Sequence, residues 1–245
     1  KSEKLLSMEI PKKLYKYEPF NELSLRNLKK QCLYFANPSG FNDPYDCTIS
    51  AQLRDLTPDQ IDDFKNNYFN NDAVPEYIKQ YLKENSHQFI GEQLMSVIAT
   101  EINKLREQVK SRIGITCLSE SNSDLLMWSH YGGRYKGFCL EFDSQYQPFT
   151  KARKVIYSDE MPKFDPWSFM KDGPESQFMD LFCIKSKSWS YEQEWRVFHV
   201  DAGTKFTYLE KALSGIYMGP DMDPECLEII ALLLGGQNDS VQWYK

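Results

Sequence analysis

The residues best placed by type and spacing to do chemistry lie in one late block, Tyr191-Glu192-Gln193-Glu194-Trp195-Arg196. The pattern predicts a strand over 192–200. Alternate side chains of a strand share a face, so Glu192, Glu194 and Arg196 point one way and Gln193, Trp195 and Val197 the other. With Trp195 and Val197 facing a core, two carboxylates and a guanidinium line the opposite face. Carboxylates at this spacing can divide labour, one orienting a nucleophile and the other stabilising positive charge. In that arrangement Arg196 forms a structural ion pair that holds a neighbouring carboxylate ionised. The same residues also fit an exposed strand with a surface ion pair, which is worth little energetically.

Two further blocks carry polar chemistry. Trp128-Ser129-His130-Tyr131 could stack a ring and hydrogen-bond its edge, with His130 equally readable as a structural histidine. No Ser-His-Asp order can be argued for it. Asn42-Asp43-Pro44-Tyr45-Asp46 contains two carboxylates that, with Glu120, could bind a divalent cation; Asx-turn chemistry explains the loop equally well. There is no GxGxxG and no P-loop. Gly235-Gly236 follows an apolar helical run and reads as a helix stop.

The elements that must position these residues alternate irregularly. Strands are expected at 14–17, 32–35, 113–118, 138–142, 154–157, 192–200 and 215–218. In 138–142, Phe138, Leu140 and Phe142 alternate with Cys139 and Glu141, which predicts one wetter face. A helix is expected at 21–30, a turn at Asn37-Pro38-Ser39-Gly40, and a loop at 41–46, because Pro44 disfavours helix at Asp43. A helical insert is expected over 57–112. It opens on a capping box, Thr57 with Pro58 first in the helix and Gln60 three residues on. A second helix is expected at 75–85. A third has Ile90, Leu94, Val97, Ile98, Ile102, Leu105 and Val109 along one face. Ser123 is the expected cap of a short helix ended by Gly132-Gly133. Residues 174–185 read as helix, and Asp223 with Pro224 opens a last helix ending at Gly235. Strands and helices mixed in this way predict an α+β fold. The expected architecture is a central curved or split, mostly antiparallel sheet with flanking helices. Residues 1–245 form a single domain in this reading, with the insert near 57–112.

Composition narrows the classes. The net charge is −6, and the basic runs at Lys12-Lys13, Lys29-Lys30 and 151–154 are short. Tight duplex binding, which calls for a basic face, is not signalled. Aromatics reach 14%, enough for a pocket with stacking surfaces or for an aromatic core. None of the 6 cysteines forms a CxxC pair, which argues against a zinc ribbon or redox motif and for buried thiols in a reducing compartment. The first residues, Lys-Ser-Glu-Lys-Leu-Leu, form no signal-peptide core. No run approaches the length of a membrane-spanning helix. The expectation is a cytoplasmic protein with no membrane partner.

Taken in order, five blocks resemble a known family. They are Leu14-Tyr15-Lys16-Tyr17, Phe41-Asn42-Asp43-Pro44-Tyr45-Asp46, Met127-Trp128-Ser129-His130-Tyr131, Lys136-Gly137-Phe138-Cys139-Leu140-Glu141-Phe142 and Trp189-Ser190-Tyr191-Glu192-Gln193-Glu194-Trp195-Arg196. Over about residues 14–200 the chain resembles the bacterial domain-of-unknown-function family two-nine-seven-one. That resemblance implies a bacterial or phage-related cytoplasmic protein and no particular reaction.

The layout is also similar to ADP-ribosyltransferases, especially those acting on nucleic acid. There a first-strand residue holds NAD, a short helix follows, an aromatic or Ser-containing strand lies mid-chain and Glu-x-Glu sits on a late strand. Glu192-Gln193-Glu194 matches Glu-x-Glu. The resemblance then implies that Glu194 is catalytic and bonds the ribose of NAD, with Glu192 as its catalytic partner orienting the acceptor and Ser119 on the middle strand. It places Tyr15, Lys16, Tyr17, Asn42, Ser119, Trp128, His130 and Tyr131 around the cofactor, with Tyr17 or Trp128 stacking the nicotinamide. These enzymes usually carry Arg or His on the first strand. This chain has Lys16, a point charge without the planar fork of Arg. The resemblance implies NAD as substrate, a nucleic-acid or protein acceptor, and a toxin or phage-defence setting. A metal-dependent nuclease using Asp43, Asp46, Glu120 and Glu194 is an alternative expectation, as is a non-enzymatic nucleotide-binding module.

Overall fold

A computed structural model describes residues 9–43, 45–47, 52–53, 55–69, 75–85, 87–160, 163–164 and 179–245. By contacts the chain divides into two compact units. One comprises 1–47, 110–159 and 183–245; the other comprises 48–109 and 160–182.

The first unit is built on a seven-stranded sheet. Its strands are β1 (Lys13–Glu18), β4 (Gly114–Ser119), β5 (Phe138–Asp143), β6 (Arg153–Lys154), β10 (Glu194–His199), β12 (Leu213–Met218) and β13 (Gln242–Tyr244), in the order β13-β12-β5-β1-β4-β10-β6. All neighbours are antiparallel except β12 and β13. Two small pairs complete the unit: β2 (Cys32–Tyr34) with β11 (Lys205–Thr207), and β7 (Ile156–Tyr157) with β9 (Ile184–Lys185). Helices α1 (Glu22–Lys29), α5 (Leu125–His130) and α6 (Pro224–Leu234) flank the sheet. This is the expected α+β fold with a mostly antiparallel sheet.

The sheet buries Leu14, Phe138, Leu140, Phe142, Trp195, Val197 and Ile216 in one cluster with Leu28, Leu33 and Phe149. The opposite face is not wet. Cys139, Glu141, Glu194 and Arg196 are all buried as well, so the one-sided burial expected of 138–142 and 192–200 does not occur. A strand covered on both faces must match its polar groups internally.

The join between β1 and β4 is the shortest ladder in the sheet. β1 runs alongside β5 over six residue pairs, but meets β4 at one, Tyr15↔Ser119. Beyond that pair a side chain spans the gap: the Lys16 ammonium donates to the Cys117 carbonyl at 3.4 Å. The sheet is split here.

Local signals place several helices. Asn21 caps α1 and Asp223 caps α6, with Pro224 first in the helix and Gly235 at its end. The cap of α5 is Asp124 rather than Ser123: its carboxylate accepts from Leu126 N at 2.8 Å and Met127 N at 3.0 Å. A charged acceptor serving two free amides outcompetes a hydroxyl one residue earlier. In the 174–185 segment, 174–178 lie outside the described residues. Ile184–Lys185 is a strand parallel to β7, so ladder pairing overrides the helical pattern there.

The second unit holds α2 (Pro58–Phe69), α3 (Glu76–Glu84), most of α4 (His87–Arg112) and the pair β3 (Gln52–Leu53) with β8 (Lys163–Phe164). The capping box forms as expected: Thr57 N donates to Gln60 Oε1 at 2.9 Å, and Gln60 N to Thr57 Oγ1 at 3.3 Å. Along α4, Ile102 is buried, while Val97, expected on the same face, is 61% exposed. The drift of a 3.6-residue period along a long helix carries a stripe off its contact face. The side chains of Ile90, Leu94 and Ile98, and Pro44 in the early loop, lie outside the described residues.

Candidate functional site

The split between β1 and β4 opens into a cavity of about 430 Å³ in the first unit. That size suits a small organic ligand. Tyr15, Lys16 and Tyr17 of β1 and Cys117 and Ser119 of β4 form two walls, with His130 and Tyr131 of α5, Phe41, Asn42 and Asp46 of the early loop, and Lys185, Glu192 and Glu194 completing it.

At its floor, three strands far apart in sequence line up in register. Ser119 pairs with Tyr15 on one side and with Glu194 on the other. Glu194 opens β10, whereas Glu192 does not lie on a strand. It ends a 3-10 turn, Lys187–Glu192, and Gln193 links it to β10 with left-handed backbone, φ 44° and ψ 49°. A non-glycine residue seldom adopts that conformation, so the expected continuous strand over 192–200 is broken here. The kink is tied down on both sides. Ser119 Oγ donates to the Glu192 carbonyl at 2.7 Å, and Glu120 N to the Gln193 carbonyl at 3.1 Å. Two carboxylates thus reach one cavity by a turn rather than by strand alternation.

The charges are paired and deeply buried. Arg196 grips Glu194 with Nε to Oε1 at 2.7 Å and Nη2 to Oε2 at 2.9 Å. It grips Asp46 with Nη1 to Oδ1 at 2.9 Å and Nη2 to Oδ2 at 2.6 Å. Arg196 is 0% exposed, so its ion pair is internal rather than superficial. A planar fork is what such double bidentate geometry needs. Lys185 Nζ lies 2.5 Å from Glu192 Oε2, 3.3 Å from Glu194 Oε2 and 3.5 Å from Asp46 Oδ2. Tyr131 OH donates to Glu192 Oε1 at 2.6 Å and accepts from Asn42 Nδ2 at 3.0 Å.

The two glutamates titrate in opposite directions. Burial raises Glu192, and the negative charge of Glu194 raises it further, against Lys185 and Tyr131. Burial also opposes ionisation of Glu194, but Arg196 and Lys185 outweigh it and hold its carboxyl below the usual range. Glu194 is therefore held ionised, and Glu192 is the member of the pair that takes up a proton more readily than an ordinary glutamate. Burial pushes the Cys117 thiol up, so it is not a ready nucleophile.

The remaining expected residues divide. Tyr15, Lys16, Tyr17, Asn42, Ser119, His130 and Tyr131 all reach the cavity wall. Trp128 stands behind Tyr17, edge-on at 5.1 Å between ring centroids, with its Nε1 donating to the Asn122 carbonyl; it packs rather than presents a face. His130 Nδ1 is paired with Tyr191 OH at 3.0 Å. The four carboxylates named for a metal do not all converge: Asp46 and Glu194 meet at Arg196 and Lys185, but Glu120 and Asp43 are bound elsewhere. Glu120 Oε1 takes Lys154 Nζ and Trp195 Nε1, each at 2.7 Å. Asp43 forms an Asx turn, accepting from Tyr45 N at 2.9 Å. Among the described residues, no group of three or more His, Cys, Asp or Glu could hold a metal ion.

Sequence reasoning missed Lys185 and the ionic role of Asp46. One signal was available: two glutamates beside a single arginine leave an uncompensated negative charge if buried, which calls for another cation.

No helix among the described residues is long and apolar enough to cross a membrane. Searches of the curated proteins and of the solved structures gave no match. A family model does match, DUF2971, described as a protein of unknown function, over residues 127–197. Those residues run from α5 to the middle of β10 and include Tyr131, Lys185, Glu192, Glu194 and Arg196. Over that segment, which supplies most of the cluster's buried charges, the chain is similar to the DUF2971 family.

Proposed function

We propose that this chain cleaves the nicotinamide–ribose bond of NAD and transfers ADP-ribose to an acceptor, or to water. The observation that carries this reading is the cross-strand row Tyr15–Ser119–Glu194 at the floor of the split. The resemblance to ADP-ribosyltransferases requires a first strand, a mid-chain Ser-containing strand and a late Glu-x-Glu strand to act together. These three segments are neighbours around one cavity.

The chemistry follows from the two carboxylates. As the C–N bond breaks, the electron pair leaves with neutral nicotinamide and positive charge builds on the ribose. Glu194, fixed and ionised, stabilises that charge as the carboxylates of glycosidases do. Glu192 accepts the proton that the acceptor loses as its bond to the ribose forms. Tyr15, Tyr17 and Tyr131 offer ring faces and Lys16 a positive charge for the pyrophosphate. The acceptor is a nucleic acid or a protein in this reading, and the setting a toxin or phage-defence system in a bacterial cytoplasm.

The test is release of nicotinamide from NAD by the purified protein, followed by chromatography, for wild type and Glu194→Gln, with thermal unfolding to show that both are folded. Turnover in wild type and a loss of about 100-fold or more in the variant are expected. Absence of turnover in wild type, together with no shift in unfolding temperature on adding NAD, would sink the reading. Magnesium- or manganese-dependent cleavage of a nucleic acid would turn attention to the nuclease alternative. NAD binding without turnover would leave a binding module.

A further inference from the structure

Lys185 is the residue on which the two glutamates depend. It sits on β9, and its backbone is fixed by pairing with Tyr157 of β7. The Tyr157 hydroxyl in turn accepts from Glu194 N at 2.8 Å, so one two-stranded ladder positions both the ammonium and the start of β10. The Lys185 side chain is 4% exposed, and the Trp189 ring lies over its Nζ at 4.9 Å. An ammonium buried this far costs several kcal/mol unless it is fully paired. Here it meets Glu192, Glu194 and Asp46 together. Three rotatable donors suit three carboxylates in different directions, which a planar guanidinium could not serve.

The charge count decides what the ammonium does. Asp46, Glu192 and Glu194 are three buried carboxylates, and Arg196 spends its fork on Asp46 and Glu194. Glu192 instead meets Lys185 on one oxygen and Tyr131 on the other. Other polar groups around the cavity are Cys117 and Ser119 from β4, Lys16 from β1, Asn42 from the early loop and His130 from α5, and the Tyr157 and Tyr191 hydroxyls also feel the charge of Glu192. Of these, Lys16 pairs with Glu18 at 3.6 Å and His130 with Tyr191 at 3.0 Å, whereas Glu192 meets the Lys185 ammonium at 2.5 Å.

We propose that Lys185 is a positioning residue that keeps Glu192 ionised and aimed into the cavity beside Glu194. The pair can then work as one fixed charge and one proton acceptor. The catalytic consequence rests on the NAD reading above; the electrostatic claim does not.

The experiment separates the two. The side-chain carboxyl carbons of glutamate are labelled with ¹³C, Glu192 is assigned by its absence in Glu192→Gln, and its titration is followed by NMR in wild type, Lys185→Met and Lys185→Arg. In Lys185→Met the Glu192 midpoint should rise by at least about one pH unit, the usual effect of losing an opposite charge at bonding distance. Lys185→Arg, which keeps the charge, should return most of that shift. In NAD turnover, the acidic limb of the kcat profile should move up by the same amount, while KM for NAD changes less than about threefold. That pH shift is what a merely structural lysine would not produce. A folded Lys185→Met whose Glu192 midpoint is unmoved overturns the proposal, whatever the turnover. Wild-type protein supplies a reading that needs no variant: the ¹⁵N resonance of Lys185 Nζ should step at the Glu192 midpoint, and no step overturns the proposal too. Absence of NAD turnover alongside the expected titration shift would sink the NAD reading and leave the role of Lys185 standing.

Discussion

Glu141 and Glu192 are both buried carboxylates in the same unit, each met by a tyrosine hydroxyl and a lysine ammonium, and they shift in opposite directions. Glu141 takes Tyr217 OH at 2.9 Å, Ser214 Oγ at 2.7 Å and Lys13 Nζ at 3.2 Å. Glu192 takes Tyr131 OH at 2.6 Å and Lys185 Nζ at 2.5 Å. Burial opposes ionisation of Glu141, but Ser214, Tyr217 and Lys13 prevail and lower its carboxyl. Burial raises Glu192, and the adjacent Glu194 raises it further. A tyrosine and a lysine partner therefore do not by themselves decide the sign; deeper burial and a second carboxylate at Glu192, and the added Ser214 bond at Glu141, do. Glu141 is a strut that ties β5 to β12. Glu192 sits where two like charges share one lysine, an arrangement that fits proton exchange better than stability.

The largest expected break in this comparison is Arg196→Met. It leaves Asp46 and Glu194 buried without their guanidinium and should cost about 3–5 kcal/mol in urea unfolding. Lys13→Met at the other end removes a cation whose side chain is 38% exposed, and should cost within about 1 kcal/mol. Neutralising Arg196 and the two carboxylates it grips, Asp46→Asn with Glu194→Gln and Arg196→Met, should recover most of the loss, because the buried charges that remain, Lys185 and Glu192, are paired with each other. A triple variant as unstable as Arg196→Met alone would show that packing, not charge, is what Arg196 supplies.

The pH dependence sharpens the comparison next. A lowered carboxyl contributes stability that is present above its unfolded pKa of about 4.3 and is lost as pH falls through the folded value. Glu141 and Glu194 are of this kind. Glu192 is raised, so the folded state takes up its proton first and gains stability as pH falls through the folded value toward about 4.3. Glu141→Gln should therefore flatten the loss of stability on acidification below about 4.3. Glu192→Gln should remove the gain above it. Unfolding free energies measured from pH 7 to pH 3 check both, and parallel curves for the two variants would mean that they do not differ in sign.

How much of this was legible in sequence depends on the range of the interaction. Caps and turns were, because they are local: Thr57 with Gln60 and Asp223 with Pro224 form where their spacing places them. Most of the cavity wall was named too, since Tyr15 to Tyr17, His130 with Tyr131, and Glu192 with Glu194 cluster within short blocks. What stayed hidden was created by tertiary pairing. The left-handed Gln193 breaks a strand that the alternation of 192–200 extends through it, because Ser119 and Glu120 hold the kink from another strand. Lys185 looks like one more lysine in a basic, Ser-rich run until β7 pairs with it. Its partner Asp46 comes from a segment far away in sequence. The two-faced burial of β5 and β10 was missed for the same reason: alternation reports which residues face a core, but not whether the second face is covered.

Single hydroxyls test the comparison last, through two serines that brace the row Glu141–Tyr15–Ser119–Glu194. Ser214 Oγ donates to the Glu141 carboxylate and accepts from Lys13 Nζ, each at 2.7 Å, from a half-buried position. Ser214→Ala should cost about 1 kcal/mol, because water can take over part of the hydroxyl's work. Ser119 is fully buried, and its Oγ donates to the Glu192 carbonyl while accepting from Ser121 N at 3.1 Å. Ser119→Ala should cost more, about 1–3 kcal/mol, because the carbonyl and the amide both lose a partner where water does not reach. It should also disturb the proton-exchanging end alone, since the lost bond is the one that pins the kink before β10. Urea unfolding gives the order of the two costs, and Glu192 titration gives the second test. A Glu192 midpoint that moves in Ser119→Ala but not in Ser214→Ala would show that backbone placement, and not charge alone, separates the two carboxylates.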